Sequence, residues 1–365
     1  MAPLPRQGSP RSPFPAGTSK SPCHLPKSAE KQAFADLALR RIFRSTPARV
    51  EDVRTHLFYG AQTVLGRPFE VRKAMAEGFN IDRLMNLSGR LDLADLDWSE
   101  VPKHKLTPDA LRTLRYFLRT ENSTFFYVKA LMSTRAVFEE PELASFLCVW
   151  MYEEEFHGRA FQKFLEAYGD PIGDSYRADM YKARGLGERV DEWGQDLLGA
   201  VVPGHWPAVH MTWGTIQEFT TYNAYQALIE RIDHPVLNKI CQRIMKQEMR
   251  HYVFYREHAK KRLARSAITR AVNNIAVKSA WTPVGDGMCP KEDTVHAIRF
   301  LFDGLDGPVI SRVEQKVREL PGLEWFDMFT QFAQRHDIRR APDAWFNKDF
   351  RRNPNKHVDH EIEAF

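Results

Sequence analysis

From Thr107 onward, apolar residues recur every three or four positions, the period of helices packed on one face. Four long segments keep this period. Each begins at or near a proline, which suits a first helical turn and stops the helix before it. The spacing predicts helices over about Pro108–Val137, Pro141–Tyr168, Pro207–Ile232 and Pro235–Ala267. Thr107-Pro108-Asp109 reads as an N-terminal cap, and Gly169-Asp170-Pro171 opens a mixed connection that runs to residue 205. Shorter helices are expected at 31–44, 48–64 and 67–76, with a loop from Asp92 to Lys105. After a Gly/Pro-rich break at Val284–Pro290, three more follow at 291–303, 307–319 and 323–336. No segment carries the period-two alternation of a strand, so the expected fold class is all-α.

Composition narrows the class. The 365 residues are 43% hydrophobic and 27% charged, which suits a globular chain. No apolar run approaches the ~18 residues that a membrane helix needs, so a soluble protein without a membrane span is expected. Residues 1–30 are rich in Pro, Ser and Gly, and no acidic residue precedes Glu30. They read as a disordered tail, with an organellar (plastid-type) transit peptide as the alternative. The remaining divisions are 31–104 as helices packing on the core, 105–265 as the core, and 266–365 as a helical extension ending in a polar tail. The four cysteines, Cys23, Cys148, Cys241 and Cys289, form no CxxC pair. That points to a reducing cytoplasm, with Cys148 and Cys241 as small buried hydrophobes. The net charge of +5 is too mild to imply nucleic acid.

The chemistry lies where the apolar rows are interrupted. In the second long helix one face reads Leu143, Leu147, Trp150, Glu154, His157, Phe161, Phe164. In the fourth it reads Leu237, Cys241, Ile244, Glu248, His251, Tyr255, His258. Each places Glu-x-x-His on a face that should meet the core, where an uncompensated carboxylate is costly. The first helix adds Glu121 among Leu114, Phe117, Phe125 and Val128. The third adds Glu218 among Met211, Gly214, Thr221 and Tyr225. Two repeated hairpins would gather four carboxylates and two imidazoles at one level of a four-helix bundle, the arrangement that holds a dinuclear metal site. Hard oxygen donors with two imidazoles favour iron or manganese over structural zinc.

At these residues the chain resembles the soluble acyl-acyl carrier protein desaturases of the ferritin-like superfamily. The resemblance is carried by Val149-Trp150 through Glu154 to His157-Gly158, by Gln217-Glu218 with Thr221, and by Glu248-Met249-Arg250-His251, over about residues 105–265. It implies a ferritin-like four-helix bundle with flanking helices and two iron ions on Glu121, Glu154, His157, Glu218, Glu248 and His251. It implies a role for Thr221 in proton delivery to activated oxygen. It also implies the removal of two hydrogens from an acyl chain on carrier protein, using O2 and electrons from ferredoxin, in a homodimer. Phe156 departs from the arginine that the family usually carries before its first paired histidine. Aromatic residues (Phe125, Phe126, Trp150, Phe161, Trp213, Tyr222, Tyr225) are candidates to line a dry cavity.

Two other classes compete. One is a di-iron monooxygenase or N-oxygenase, although Ile244 stands where the arylamine N-oxygenases of this superfamily carry an extra histidine. The other is an iron-storage or peroxide-scavenging protein, which would be shorter or would carry a CxxC iron site. Residues 256–278 hold seven basic side chains against Glu257 alone. They form either a docking face for an acidic carrier protein or a solvated helix end.

Overall fold

The computed structural model describes residues 81–132, 134–173, 176–183, 204–286, 288–303 and 309–338. The expected tail at 1–30, the helices at 31–44, 48–64 and 67–76, and the polar tail at the C-terminus lie outside them, as does much of the 169–205 connection. The described residues form an all-α structure with no strand. Its helices in chain order are α1 (Ile81–Leu87), α2 (Pro108–Glu121), α3 (Thr124–Met132), α4 (Arg135–Glu139), α5 (Pro141–Tyr168) and α6 (Tyr176–Ala183). They continue with α7 (Trp206–Ile232), α8 (Pro235–Arg265), α9 (Ala267–Ala280), α10 (Lys291–Phe302), α11 (Val309–Arg318) and α12 (Met328–Arg335).

The bundle consists of α2, α5, α7 and α8. Helix α7 is apolar around most of its circumference, so it lies in the centre. It packs along α8 and is covered by α9, α10 and α11, while α2 packs on α5. The α7–α8 hairpin turns in two residues. Asp233 takes a left-handed conformation (φ 47°) and closes α7 through its N–H to Ile229 O. His234 then caps α8, its Nδ1 accepting from the N–H groups of Val236 (3.2 Å) and Leu237 (3.4 Å). Its Nε2 meets Val101 O at 3.1 Å, which ties the hairpin to the short 3-10 helix Trp98–Lys103.

Helix α5 runs over the span that its periodicity predicts. Pro141 opens it, and Gly169 closes it in the left-handed region (φ 92°), with Asp170 N–H returning to Leu165 O at 2.9 Å. The first long helix is different. In place of one helix over Pro108–Val137, the chain forms α2, α3 and α4. The break follows Glu121 directly, where Asn122 Nδ2 bonds Leu118 O and Ser123 Oγ bonds Arg119 O, each at 2.7 Å. Such side-chain bonds to the preceding turn compete with the helix. The break carries Phe125 out of the expected core row, and it is 51% exposed. Glycine at 158 lets Asn122 seat here, since a β-carbon at that position would come within 2.8 Å of its Nδ2.

Helix α8 stops at Arg265 because Ser266 caps the next helix, its Oγ accepting from Thr269 N–H at 3.2 Å. The last expected helix, 323–336, shortens to α12, because Leu323 and Phe326 are held in turns and Arg318 Nε bonds Phe326 O at 2.8 Å. Cys241 is buried as expected, whereas Cys148 is exposed, on the side of α5 away from the Leu147–Trp150 row.

Candidate metal centre

The bundle brings the six acidic and imidazole residues together. Glu121 comes from the last position of α2, Glu154 and His157 from α5, Glu218 from α7, and Glu248 and His251 from α8. All six are at least 94% buried, far above what unpaired Glu and His tolerate. They form two overlapping groups, Glu121–Glu154–His157–Glu248 and Glu154–Glu218–Glu248–His251. Within each group one ligand atom per residue lies within 4.8 Å of the others. Glu154 and Glu248 stand in both.

The atoms face inward. His157 Nδ1 is 3.3 Å from Glu121 Oε2 and 3.3 Å from Glu248 Oε1. His251 Nδ1 is 3.4 Å from Glu248 Oε2, 3.3 Å from Glu154 Oε1 and 3.5 Å from Glu218 Oε2. The two oxygens of Glu248 therefore point at different imidazoles. Both oxygens, and the Nδ1 atoms of both histidines, are buried without a hydrogen bond. Buried polar atoms in this state are rare in native proteins. A cation satisfies all four at once, so the residues present fit a metal, and the two groups can hold metal ions.

The electrostatics agree. Burial, reinforced by the nearby charge of Glu154, pushes the Glu121 carboxyl up to about 8. Burial also raises Glu218 well above the carboxylate range. Glu248 goes the other way, because the imidazoles of His157 and His251 outweigh its burial and hold it low. Burial opposes charging of those imidazoles, yet the carboxylates around them hold both well above the usual range. Positive charge is strongly favoured at this point.

Sequence reasoning missed the outer partners. His251 Nε2 lies 2.7 Å from Glu153 Oε2, and His157 Nε2 lies 2.7 Å from Gln247 Oε1. Glu153 also accepts from Arg250 (3.1 Å), Gln247 Nε2 (3.0 Å) and the Gly89 N–H (2.9 Å), while Gln247 Nε2 also donates to Gly89 O at 2.8 Å. Burial works against the charge of Glu153, but His251 and Arg250 bring it down to about 2. The visible signal was position: both residues immediately precede the paired glutamates. The Tyr225 hydroxyl donates to Glu121 Oε1, and Thr124 Oγ1 donates to Glu154 Oε2 at 3.1 Å.

Aromatic rings wall the centre. Phe117 stacks on Tyr225 at 4.9 Å on one side, and Phe146, Trp150 and Tyr255 cluster on the other. Thr221 is half-buried on the wall of an apolar cavity between α2, α7 and α10, with Phe117, Ala224, Ile298 and Leu301. None of the aromatic residues expected from the sequence lines this cavity. At the departure from the family pattern, the Phe156 ring meets the guanidinium groups of Arg90 (5.4 Å) and Arg159 (5.1 Å).

Residues 104–280 match the family described as fatty acid desaturase. The matched span contains the whole centre. The match fits the ferritin-like di-iron superfamily. The match and the buried carboxylate–histidine clusters together support a di-iron type of oxidoreductase. No curated protein matches the chain. Among the described residues no helix is long and apolar enough to cross a membrane.

Much of the basic stretch after the second motif is occupied by intramolecular contacts. Arg256 pairs with Glu257 and Glu319, Arg262 with Glu140, Arg270 bonds Leu263 O, and Lys278 lies over Trp325.

Proposed function

We propose that this chain is an O2-dependent di-iron oxidoreductase that desaturates a fatty acyl chain held on acyl carrier protein, with electrons from ferredoxin. Glu121, Glu154, His157, Glu218, Glu248 and His251 would hold two iron ions, with Glu154 and Glu248 shared between them. Two divalent cations bring four positive charges to the four carboxylates, which answers the burial cost of the cluster. When bound, the iron pair supplies the electrons that activate O2 for attack on an unactivated C–H bond.

The chain's own residues do the remaining work. The rings of Phe117, Phe146, Trp150, Tyr225 and Tyr255 keep water from the centre. The cavity beside Phe117 and Thr221 is small, about 30 Å³, and its wall is apolar, the surface character that a hydrocarbon substrate requires. It reaches within one helical turn of both Glu121 and Glu218. The Thr221 hydroxyl, on that wall, is the group assigned to proton delivery. Residues 105–265 form the catalytic unit, and the working form is a homodimer. Lys260, Lys261 and Arg265, which have no ion-pair partner among the described residues, remain to meet the acidic carrier.

The observation that carries this reading is the sharing of Glu154 and Glu248 by two buried donor groups inside the matched span. Mass spectrometry of fatty acids from cells expressing the protein beside its Glu154→Ala variant tests it. A new unsaturated chain absent from the variant is expected. A hydroxylated product would move the assignment to a monooxygenase, and unchanged lipids with iron uptake to an iron-handling protein.

A further inference from the structure

The two halves of the centre follow one sequence pattern, a residue before the paired glutamate and a residue before the histidine, but they fill it differently. The α5 half has Glu153 and Phe156, and the α8 half has Gln247 and Arg250. Across the bundle these residues pair in register. Glu153 of α5 meets His251 and Arg250 of α8, so one imidazole leans on a charged carboxylate steadied by a guanidinium. Gln247 of α8 meets His157 of α5, so the other imidazole leans on a neutral amide. Gly89 contacts both supports through its N–H and C=O.

A second difference runs in the same direction. On the His157 side, Glu121 shares one oxygen with the buried Tyr225 hydroxyl. On the His251 side, no hydroxyl donor to Glu218 stands among the described residues; its contact is with His251 itself. A hydrogen bond to a ligand oxygen withdraws electron density from it, and a carboxylate behind an imidazole adds density to the ring. Both effects make the His251 group the stronger donor set.

We infer that the two metal positions are unequal by construction: the Glu154–Glu218–Glu248–His251 position fills first, and Glu153 and Gln247 are the positioning residues that set the order. This rests on the two-metal reading above, but it does not depend on the substrate. The outer partners of ligating histidines are commonly worth 10–100-fold in metal affinity, so a gap of that order is expected.

The test uses the full-length protein, stripped of metal and titrated with Co2+ alone. Repulsion between two cations would also separate the binding steps, so the variants decide. Glu153→Gln should weaken the first step by about 10–100-fold and leave the second nearly unchanged. Tyr225→Phe should strengthen the second step and spare the first, while Gln247→Glu, which also removes a donor to Glu153, should narrow the gap between the steps. At one equivalent of Co2+, a single hyperfine-shifted imidazole N–H resonance is expected, moved by Glu153→Gln and not by Tyr225→Phe. Circular dichroism checks that each variant is folded, and Gln247→Glu and Tyr225→Phe keep the test alive if Glu153→Gln is not. Equal shifts of both steps in the variants, or two imidazole resonances growing together from the first addition, would overturn the order while leaving two ions bound. Failure to bind two ions would overturn the two-metal reading itself.

Discussion

Glu154 and Glu248 arise from different hairpins, on α5 and α8, yet both belong to each of the two donor groups. The other four residues belong to one group each: Glu121 and His157 to the first, Glu218 and His251 to the second. The shared pair makes the centre one unit rather than two neighbouring sites.

Substitutions should therefore fall into two classes. Glu154→Ala or Glu248→Ala removes a donor from both groups, and metal content should drop from two ions per chain toward none. Glu121→Ala or Glu218→Ala removes a donor from one group and should leave about one ion. Metal analysis of folded, reconstituted protein separates the classes. Equal losses from all four variants would show that the carboxylates do not act as shared and unshared ligands.

Thr221 gives a second prediction. It lies on the cavity wall, one turn beyond Glu218, and is not a member of either donor group. Thr221→Val should leave metal content unchanged and lower the product formed per O2 consumed, while Thr221→Ser should restore most of that ratio. If the valine variant couples O2 to product as the parent does, the hydroxyl has no part in proton delivery.

A third concerns packing beside the centre. A β-carbon at Gly214 of α7 would come within 2.3 Å of the buried ring of Tyr255 on α8. Overpacking of this kind typically costs ~1–3 kcal/mol. Gly214→Ala should lower the melting temperature by roughly 2–4 °C for each kcal/mol. An unchanged melting temperature would mean that the ring has room to move.

The fourth is a pH dependence away from the metal ligands. Burial and the charges of Arg262, Lys261 and Arg265 push the His258 imidazole down to about 3, and Arg262 donates to its Nδ1 at 2.9 Å. The folded group thus stays neutral where the unfolded one, near 6.5, takes up a proton. The unfolded state binds more protons between these values, so stability is complete above about pH 6.5 and falls as the pH drops toward 3. One such group contributes a slope of at most ~1.4 kcal/mol per pH unit. Denaturant melts of His258→Phe should show a shallower loss between pH 6 and pH 4 than the parent. Parallel curves would contradict this assignment. Half-buried His210, lowered to about 4, adds a slope of the same sign in both proteins.

The periodicity made α5, α7 and α8 legible because their caps agree with their apolar faces. Pro141 and Gly169 bracket α5, and the turn at Asp233–His234 divides α7 from α8. The six inward residues were legible because polar groups interrupting an apolar row stand out. The break after Glu121 was hidden, since Phe125 and Val128 keep helical spacing beyond it. Only the side-chain bonds of Asn122 and Ser123 to the previous turn reveal it. Glu153 and Gln247 carry only a positional signal, before the paired glutamates: each acts on a histidine of the other helix, and spacing along one helix carries no cross-bundle register. The same limit concealed Gly89, which contributes only backbone atoms.

The most direct test is anomalous diffraction from crystals of the protein soaked anaerobically in ferrous salt. Two iron peaks between α2, α5, α7 and α8 are predicted, with Glu154 and Glu248 touching both, His157 touching one and His251 the other. A single peak, or no peak with the carboxylates turned to solvent, would contradict the account.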